Sequence, residues 1–216
     1  MSYKSPIFLN DDELIKINKY ITISGNNTGA IYDKYNKIFK IVDDIILSVH
    51  SNKKYKLIEY HFHIPSEHYL NNKRYQSEIH YVFEEYDHSE PHDPVYYDSD
   101  DSSDSVYMDL CCNKRIGEKN VLVISNLIKN NIFKSHNLKH MKIKTPKHYY
   151  EYDGTSATDG DIPVRWIVDE NVIEMNIDEI IPYAKTARPI QDKNGRIILF
   201  NDYHHHDDYN NRNYDN

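Results

Sequence analysis

The chain has 216 residues, of which 39% are hydrophobic and 28% charged, and its formal net charge is −8. This length suits one large domain or two small ones with a substantial core. The acidic balance argues against a general nucleic-acid-binding protein, which should be basic. No apolar run approaches the ~18 residues of a membrane-spanning helix, so we expect no membrane span.

The N-terminus and the cysteines bear on the compartment. Residues 1–14 lack a charged segment followed by an apolar one, so we expect no signal peptide. Cys111 and Cys112 are the two cysteines, and adjacent cysteines rarely pair with each other. This usage fits a reducing compartment. The sequence therefore predicts a cytoplasmic protein or, if a virus encodes it, a component of the viral particle.

Most of the chain is predicted to be β-structure. Short segments rich in β-branched and aromatic residues are typical of strands. In chain order they are residues 20–23, 38–41, 57–64, 78–83, 121–128, 164–168 and 197–200. Residues 176–184 can open a helix, which Pro182 keeps short. We therefore expect a mainly β fold with few short helices.

Two segments differ in composition from the rest. Residues 84–105 contain nine carboxylates and no lysine or arginine, which predicts a flexible acidic insertion. Residues 201–216 are predicted to be a disordered polar tail. Both flank strand-like segments, so we expect one domain over residues 1–200.

The charge of the remaining chain differs from that of the whole. The two acidic segments together hold thirteen acidic residues and one basic residue, so 21 of the 34 acidic and 25 of the 26 basic residues lie outside them.

The strongest local signal is a His-x-His pattern in a predicted strand. Side chains alternate along a strand, so His61 and His63 point to one face while Tyr60 and Phe62 point to the other. His80 lies in the next strand-like segment, which residues 65–77 can turn back to run antiparallel. Three neutral imidazoles with an open fourth position make a catalytic zinc site.

Carboxylates accompany these histidines. Glu59 shares a face with His61, and Glu78 shares a face with His80. Carboxylates in such positions accept the N–H of the ring nitrogen that faces away from the metal and fix the tautomer. Glu67 is a further carboxylate close in sequence.

The residues around these histidines resemble the signature of α-class carbonic anhydrases. The similarity comprises EYHFHIPSEH at residues 59–68, NKRY at 72–75 and SEIHYV at 77–82. Weaker similarity lies in KSPI at 4–7, NTGA at 27–30, VLVISNLIK at 121–129, YDGTS at 152–156, RWIV at 165–168, RPIQ at 188–191 and NGR at 194–196. The resemblance thus spans about residues 4 to 200.

The resemblance implies a single domain around a mostly antiparallel, twisted sheet of about ten strands. It implies a zinc ion on His61, His63 and His80, and the reversible hydration of carbon dioxide to bicarbonate. Residues matching the apolar substrate side of the family's cleft are Val82, Val123, Val164 and Trp166. Residues matching the family's catalytic carboxylate and hydroxyl loop are Glu67, Ser156 and Thr158.

Three departures from the family pattern bear on activity. Ala30 stands where the proton-shuttling histidine is expected, which predicts slow, buffer-dependent turnover unless His50, His68 or another histidine substitutes. The hydroxyl loop is one residue shorter, so counting from one side puts Ser156 in the position that orients zinc hydroxide, and counting from the other side puts Ala157 there. Glu59 replaces a glutamine, which should raise the pKa of zinc-bound water and favour metal retention over hydroxide formation.

Two functions are therefore kept open. The first is a zinc enzyme for carbon dioxide, slower than typical members of the family. The second is a catalytically impaired protein of the same fold that binds a glycan or a protein. The balance of +4 outside the two acidic segments leaves room for a basic face on the folded domain. Because all three histidines are present, the enzyme is the preferred hypothesis.

Overall fold

The computed structural model describes residues 4–10, 14–25, 29–49, 53–86, 120–156 and 162–202. These residues form fifteen strands, one four-residue helix and one short 3-10 helix. The strands are β1 (Phe8–Leu9), β2 (Ile15–Ile17), β3 (Ile21–Ser24), β4 (Ala30–Asp33), β5 (Ile38–Ile41), β6 (Ile46–Val49), β7 (Lys54–Ile64), β8 (Tyr69–Leu70), β9 (Lys73–Arg74), β10 (Ser77–Glu85), β11 (Val121–Asn130), β12 (His148–Thr155), β13 (Pro163–Met175), β14 (Lys185–Thr186) and β15 (Leu199–Asp202). The mainly β fold predicted from the sequence is confirmed.

One large sheet organises the molecule. Its main path runs β2-β15-β12-β13-β11-β10-β7-β5-β4, and β3, β6 and β14 join it at β6 or β7. Most neighbours are antiparallel; the parallel pairs are β11 with β13, β15 with β2 and β14 with β7. The sheet has twelve strands rather than about ten, because short segments such as β2 and β14 pair along its edges. A second, three-stranded sheet has the order β1-β8-β9.

Alternation along the strands divides the core between the two faces of the large sheet. One cluster contains Phe39, Tyr60, Phe62 and Tyr81, and we call its side of the sheet the aromatic face. The other cluster contains Trp166 and lies on the side that carries His61 and His80. We call this side the histidine face. Each strand therefore contributes to two cores, since successive side chains leave the sheet in opposite directions.

The predicted helix forms in the expected place. Helix α1 (Ile177–Ile180) begins after Asn176, whose side chain accepts a hydrogen bond from the Asp178 backbone N–H at 3.1 Å. Such an N-cap satisfies an amide that has no partner within the helix. A 3-10 helix (Ile181–Tyr183) containing Pro182 follows directly and ends the segment.

The predicted acidic insertion and polar tail lie mostly outside the described residues. Their described parts are mostly strand: β10 continues through Glu85, and β15 continues through Asp202. Glu84 pairs with Val121 in the sheet, so ladder hydrogen bonds outweigh the local polar composition there. Within the described residues, no helix is long and apolar enough to cross a membrane.

Candidate metal centre

Two neighbouring antiparallel strands bring the three predicted histidines together. In the register of β7 and β10, His80 lies opposite His61, and Glu78 lies opposite His63. The three imidazole rings have centroids 4.7–5.3 Å apart. His61 and His63 are each 2% exposed, and His80 is fully buried. The sheet register therefore places three imidazoles in one buried cluster.

The hydrogen bonds of these rings leave one nitrogen of each ring without a partner. His61 Nε2, His63 Nε2 and His80 Nδ1 are buried and have no hydrogen-bond partner. One ligand nitrogen of each histidine lies within 4.8 Å of the others. A buried polar atom without a partner is costly, and a metal ion removes that cost by accepting the lone pair. The donor set fits a metal that prefers imidazole.

The other nitrogen of each ring faces an oxygen. Nδ1 of His61 lies 3.2 Å from Oε1 of Glu59, and Nε2 of His80 lies 2.9 Å from Oε1 of Glu78. Nδ1 of His63 lies 3.4 Å from the Thr186 carbonyl oxygen on β14. Since carboxylates and carbonyls accept, these nitrogens carry the hydrogen, and the lone pairs belong to the unpartnered nitrogens.

Burial keeps His61 and His63 neutral. Desolvation lowers the pKa of His61 well below its ordinary value, and the charge of Lys185 lowers it further. Desolvation, together with the neighbouring His80, lowers the pKa of His63 to about 3. Neutral imidazole is the form that ligates a metal, so no proton has to leave His61 or His63 at neutral pH.

Glu78 is the centre of a buried hydrogen-bond network. Its Oε2 accepts from the backbone N–H groups of Glu67 (2.7 Å) and His68 (2.8 Å). Its Oε1 accepts from His80, from His68 Nδ1 at 2.6 Å and from the Ser125 hydroxyl. Burial would raise the pKa of Glu78, but the neighbouring His68 and His80 hold it well below its ordinary value. A second group of possible ligand atoms, within 4.8 Å of one another, comes from His68, Glu78 and His80. Both ring nitrogens of His68 and both carboxylate oxygens of Glu78 already have hydrogen-bond partners, so we assign no second metal site here.

Glu67 is fully buried and pairs with Arg188. Its Oε1 accepts from the backbone N–H of Arg188 at 2.8 Å and from Nε of the same residue at 3.2 Å, and its Oε2 lies 3.3 Å from Nη2. Burial opposes ionisation, yet His63, His80 and Arg188 lower the pKa of Glu67. Arg188 Nη1 also donates to the carbonyl oxygen of Ser156 at 2.8 Å. Arg188 therefore connects Glu67 with the loop of Ser156, while Ala157 and Thr158 lie outside the described residues.

The predicted substrate-side residues form one continuous patch beside the histidines. Val82 pairs with Val123 across the sheet, and Val123 pairs with Trp166. The Trp166 ring lies 4.9 Å from the His80 ring and is fully buried. Val164 joins the same cluster on the histidine face. An apolar wall thus adjoins the three histidines.

A cavity of about 580 Å³ lies at one end of the aromatic face rather than at the histidines. Ile21, Leu122 and Ile167 line it, and Lys19 and Arg165 contribute charges. Of the predicted substrate-side residues, Val164 borders this cavity. The cavity and the histidine cluster are therefore separate features.

Of the positions considered for proton transfer, the structure describes Ala30, which is partly buried, and His68. Ala30 packs against the core of the aromatic face. His68 is fully buried, with Nδ1 on Glu78 and Nε2 2.6 Å from the Tyr152 hydroxyl. The Tyr152 hydroxyl lies 3.3 Å from the Ser5 hydroxyl, which continues the network inward. His68 is thus part of the support for Glu78, and His50 lies outside the described residues.

Sequence reasoning did not assign a role to Arg188, Thr186, Tyr152 or Ser5. The sequence did offer one indication, since the weaker segments of the resemblance include Arg188, Tyr152 and Ser5. Thr186 acts through its backbone carbonyl, which no side-chain pattern reveals. Residue 154 has to be glycine for Ser5 to reach the Tyr152 hydroxyl, because a Cβ at Gly154 would lie 2.0 Å from the Ser5 hydroxyl oxygen.

Comparison with known proteins adds a fold assignment. No protein-family model and no curated protein sequence matches the chain. A hyperthermostable carbonic anhydrase from an active hydrothermal vent chimney is 22% identical with a TM-score of 0.65, over 93% of this chain and 88% of that one. The α-carbonic anhydrase of Thermovibrio ammonificans, solved with the inhibitor sulfanilamide, is 19% identical with a TM-score of 0.61, over 91% and 86%. Dioscorin, solved with ascorbate, is 16% identical with a TM-score of 0.59, over 93% and 86%.

The chain therefore has the α-carbonic anhydrase fold, which confirms the resemblance found in the sequence. Within that fold it is a divergent protein, and it keeps a buried cluster of three histidines that could hold a metal ion. At these identities the likeness concerns the fold, and activity has to be argued from the site.

Proposed function

We propose that the protein is a zinc-dependent enzyme that reversibly hydrates carbon dioxide to bicarbonate. The observation that carries this proposal is the set of three buried nitrogens without partners, His61 Nε2, His63 Nε2 and His80 Nδ1. The second nitrogen of each ring is fixed by an oxygen acceptor, so the three lone pairs are oriented before any metal binds.

Zinc is a metal that suits this donor set. Three neutral imidazoles with an open fourth position are typical of catalytic zinc sites, whereas structural sites use four ligands, usually with thiolates. Bound there, zinc would act as a Lewis acid that lowers the pKa of a coordinated water to about 7. Glu59 and Glu78 would hold the rings of His61 and His80 in place and strengthen their basicity.

The other predicted site residues have roles in this proposal as well. The apolar wall of Val82, Val123, Val164 and Trp166 would accept carbon dioxide, which is itself apolar. Glu67, held by Arg188, would orient a hydroxyl from the loop that contains Ser156 and Thr158. We expect turnover to be slow and to depend on buffer, because Ala30 cannot carry a proton and His68 is enclosed in the Glu78 network.

Metal analysis combined with a hydration assay tests the proposal. We expect the purified protein to bind one zinc ion and to hydrate carbon dioxide in stopped flow above the buffer rate, with inhibition by sulfanilamide. The His63→Ala variant removes one ligand and should lose both zinc and activity, while Lys73→Ala, an exposed position, should lose neither. A protein that binds zinc but does not hydrate carbon dioxide would contradict the enzyme and favour the binding protein instead.

A further inference from the structure

The connection between β11 and β12 is unusually basic. Residues 131–147, which we call the basic strap, contain five lysines and no aspartate or glutamate. The lysines are Lys134, Lys139, Lys142, Lys144 and Lys147, and all five are exposed. Such a density of one charge on one segment calls for an explanation in a chain whose net charge is −8.

The strap is fixed to the aromatic face rather than loose on the surface. Met141 and Ile143 are buried in the aromatic-face core, so the alternating Lys142 and Lys144 point outward. The backbone N–H of Ala30 donates to the Lys139 carbonyl at 3.0 Å, and the backbone N–H of Ile23 donates to the Thr145 hydroxyl at 3.1 Å. These contacts fix the backbone of the strap to the aromatic face.

Within the described residues, none of the five strap lysines forms an ion pair with a carboxylate. Lysines paired with carboxylates elsewhere in the fold are Lys19, Lys40, Lys53, Lys56 and Lys129. Two carboxylates contact the strap without pairing with its lysines. Glu179 accepts from the backbone N–H of His136 at 3.2 Å, and Glu174 accepts from the side-chain amide of Asn131 at 2.8 Å. The strap therefore presents positive charge that these residues do not neutralise.

An exposed apolar turn stands at the start of the same segment. Ile132 is 60% exposed and Phe133 is 88% exposed. The turn is shaped by Asn131, whose side chain accepts from the Phe133 backbone N–H and whose carbonyl accepts from the Lys134 backbone N–H. A polar turn thus holds a phenyl ring out in water next to a lysine. Adjacent exposed apolar side chains beside basic residues can enter the headgroup region of a bilayer.

We propose that the basic strap docks the protein on an anionic lipid bilayer. The lysine ammonium groups would lie among phosphate and carboxylate headgroups, while Phe133 and Ile132 enter the interface between headgroups and acyl chains. A bilayer uses both observed features, since a soluble polyanion such as a sulfated polysaccharide would satisfy the lysines but not the phenyl ring. Met141 and Ile143 attach the strap to the aromatic face, on the other side of the sheet from the histidines, so the docking proposal does not depend on the proposed enzyme.

Vesicle co-sedimentation tests this proposal with the full chain. We expect binding to vesicles of phosphatidylcholine and phosphatidylserine in a 7:3 ratio, no binding to pure phosphatidylcholine, and weakening as salt rises because surface charges are screened. The triple variant Lys139→Glu, Lys142→Glu, Lys144→Glu should reduce binding by about tenfold or more. Phe133→Ser should reduce it severalfold at unchanged charge.

Matched controls separate the strap from net charge and from misfolding. Lys4→Glu, Lys16→Glu, Lys73→Glu makes the same charge change at exposed positions outside the strap and should leave vesicle binding near that of the parent. Each variant should keep the parent's circular dichroism and unfolding midpoint. The proposal is overturned if vesicles of this composition do not bind, or if the control variant loses as much binding as the strap variant. Retention on heparin with no effect of Phe133→Ser would also overturn it, in favour of a sulfated polymer.

Discussion

The two faces of the large sheet are built on different physical principles, although the same strands form both. The histidine face buries ionisable groups such as His80, Glu78 and Glu67, which hydrogen bonds hold in place. The aromatic face buries rings such as Phe39 and Tyr60, which stack with centroids 4.9 Å apart. Adjacent residues of one strand therefore experience opposite environments, because the side-chain period of a strand is two.

The two faces should therefore lose stability for different reasons when a buried side chain is truncated. Truncating a ring on the aromatic face leaves a cavity, and the free energy of unfolding falls according to the packing contacts that are lost. Truncating a carboxylate on the histidine face leaves several buried donors without an acceptor. The free energy of unfolding then falls because these donors are removed from water and gain no hydrogen bond in return. Substitutions on the two faces can therefore match in stability while they differ in metal binding.

The largest expected effect is that of Glu78→Ala. Five donors lose their acceptor inside a fully buried site, so the free energy of unfolding should fall by about 3–5 kcal/mol. Zinc affinity should fall by about 10–100-fold, because His80 loses the group that orients it. Urea unfolding and competition with a chromophoric chelator measure the two quantities.

Phe62→Ala is the matched variant on the aromatic face. It should also cost about 3–5 kcal/mol, since Phe62 is fully buried, but it should leave zinc affinity of the folded protein within about threefold of the parent. Equal losses of zinc affinity in the two variants would contradict the division between the faces.

Arg188→Ala is expected to have the next largest effect. It removes the side-chain donors that face the buried Glu67 carboxylate, and the exposed side of Arg188 moderates the loss to about 1–3 kcal/mol. The pKa of Glu67 should rise, because a lowering charge is gone while burial remains. Carbon-13 NMR of the labelled carboxyl group would detect this change, and an unaltered titration would argue against the pairing.

A pH titration of the metal-free protein should show a graded effect. His63 has a folded-state pKa of about 3 and an ordinary value near 6.5, so between these values the unfolded chain binds the additional proton. The resulting stability is fully present above about pH 6.5 and is lost as pH falls, by up to about 1.4 kcal/mol per pH unit. His63→Gln should flatten this slope, whereas Phe62→Ala should lower the whole curve without flattening it.

The smallest expected effect is that of Glu59→Gln. Glu59 is partly exposed, so stability should change by less than about 1 kcal/mol, while zinc affinity falls severalfold because an amide stabilises the His61 N–H less than a carboxylate does. Lys19→Ala breaks an ion pair with Glu151 near the cavity of the aromatic face and should have an equally small effect on stability. Of these two variants, Glu59→Gln alone should change zinc affinity. A lower zinc affinity of Lys19→Ala would contradict the division between the faces.

Several features of the molecule could be predicted from the sequence. The long central strands β7, β10, β11 and β13 were predicted, whereas β4, β6 and β12 were not. The common face of His61 and His63 and the pairing of carboxylates with rings follow from a side-chain period of two. The antiparallel return from His63 to His80 follows from the length of the intervening segment. The fold itself followed from motifs that lie close together in the chain.

Only the tertiary structure decided the contacts that join distant segments. Arg188 meets Glu67 across 121 residues, and the Thr186 carbonyl meets His63 across 123 residues. Whether a lysine finds a carboxylate is likewise a matter of packing, which leaves the five strap lysines without one in the described fold and gives Lys19 its Glu151. Local periodicity fixes the direction of a side chain, but its partners depend on which strands become neighbours, and that is a property of the whole sheet.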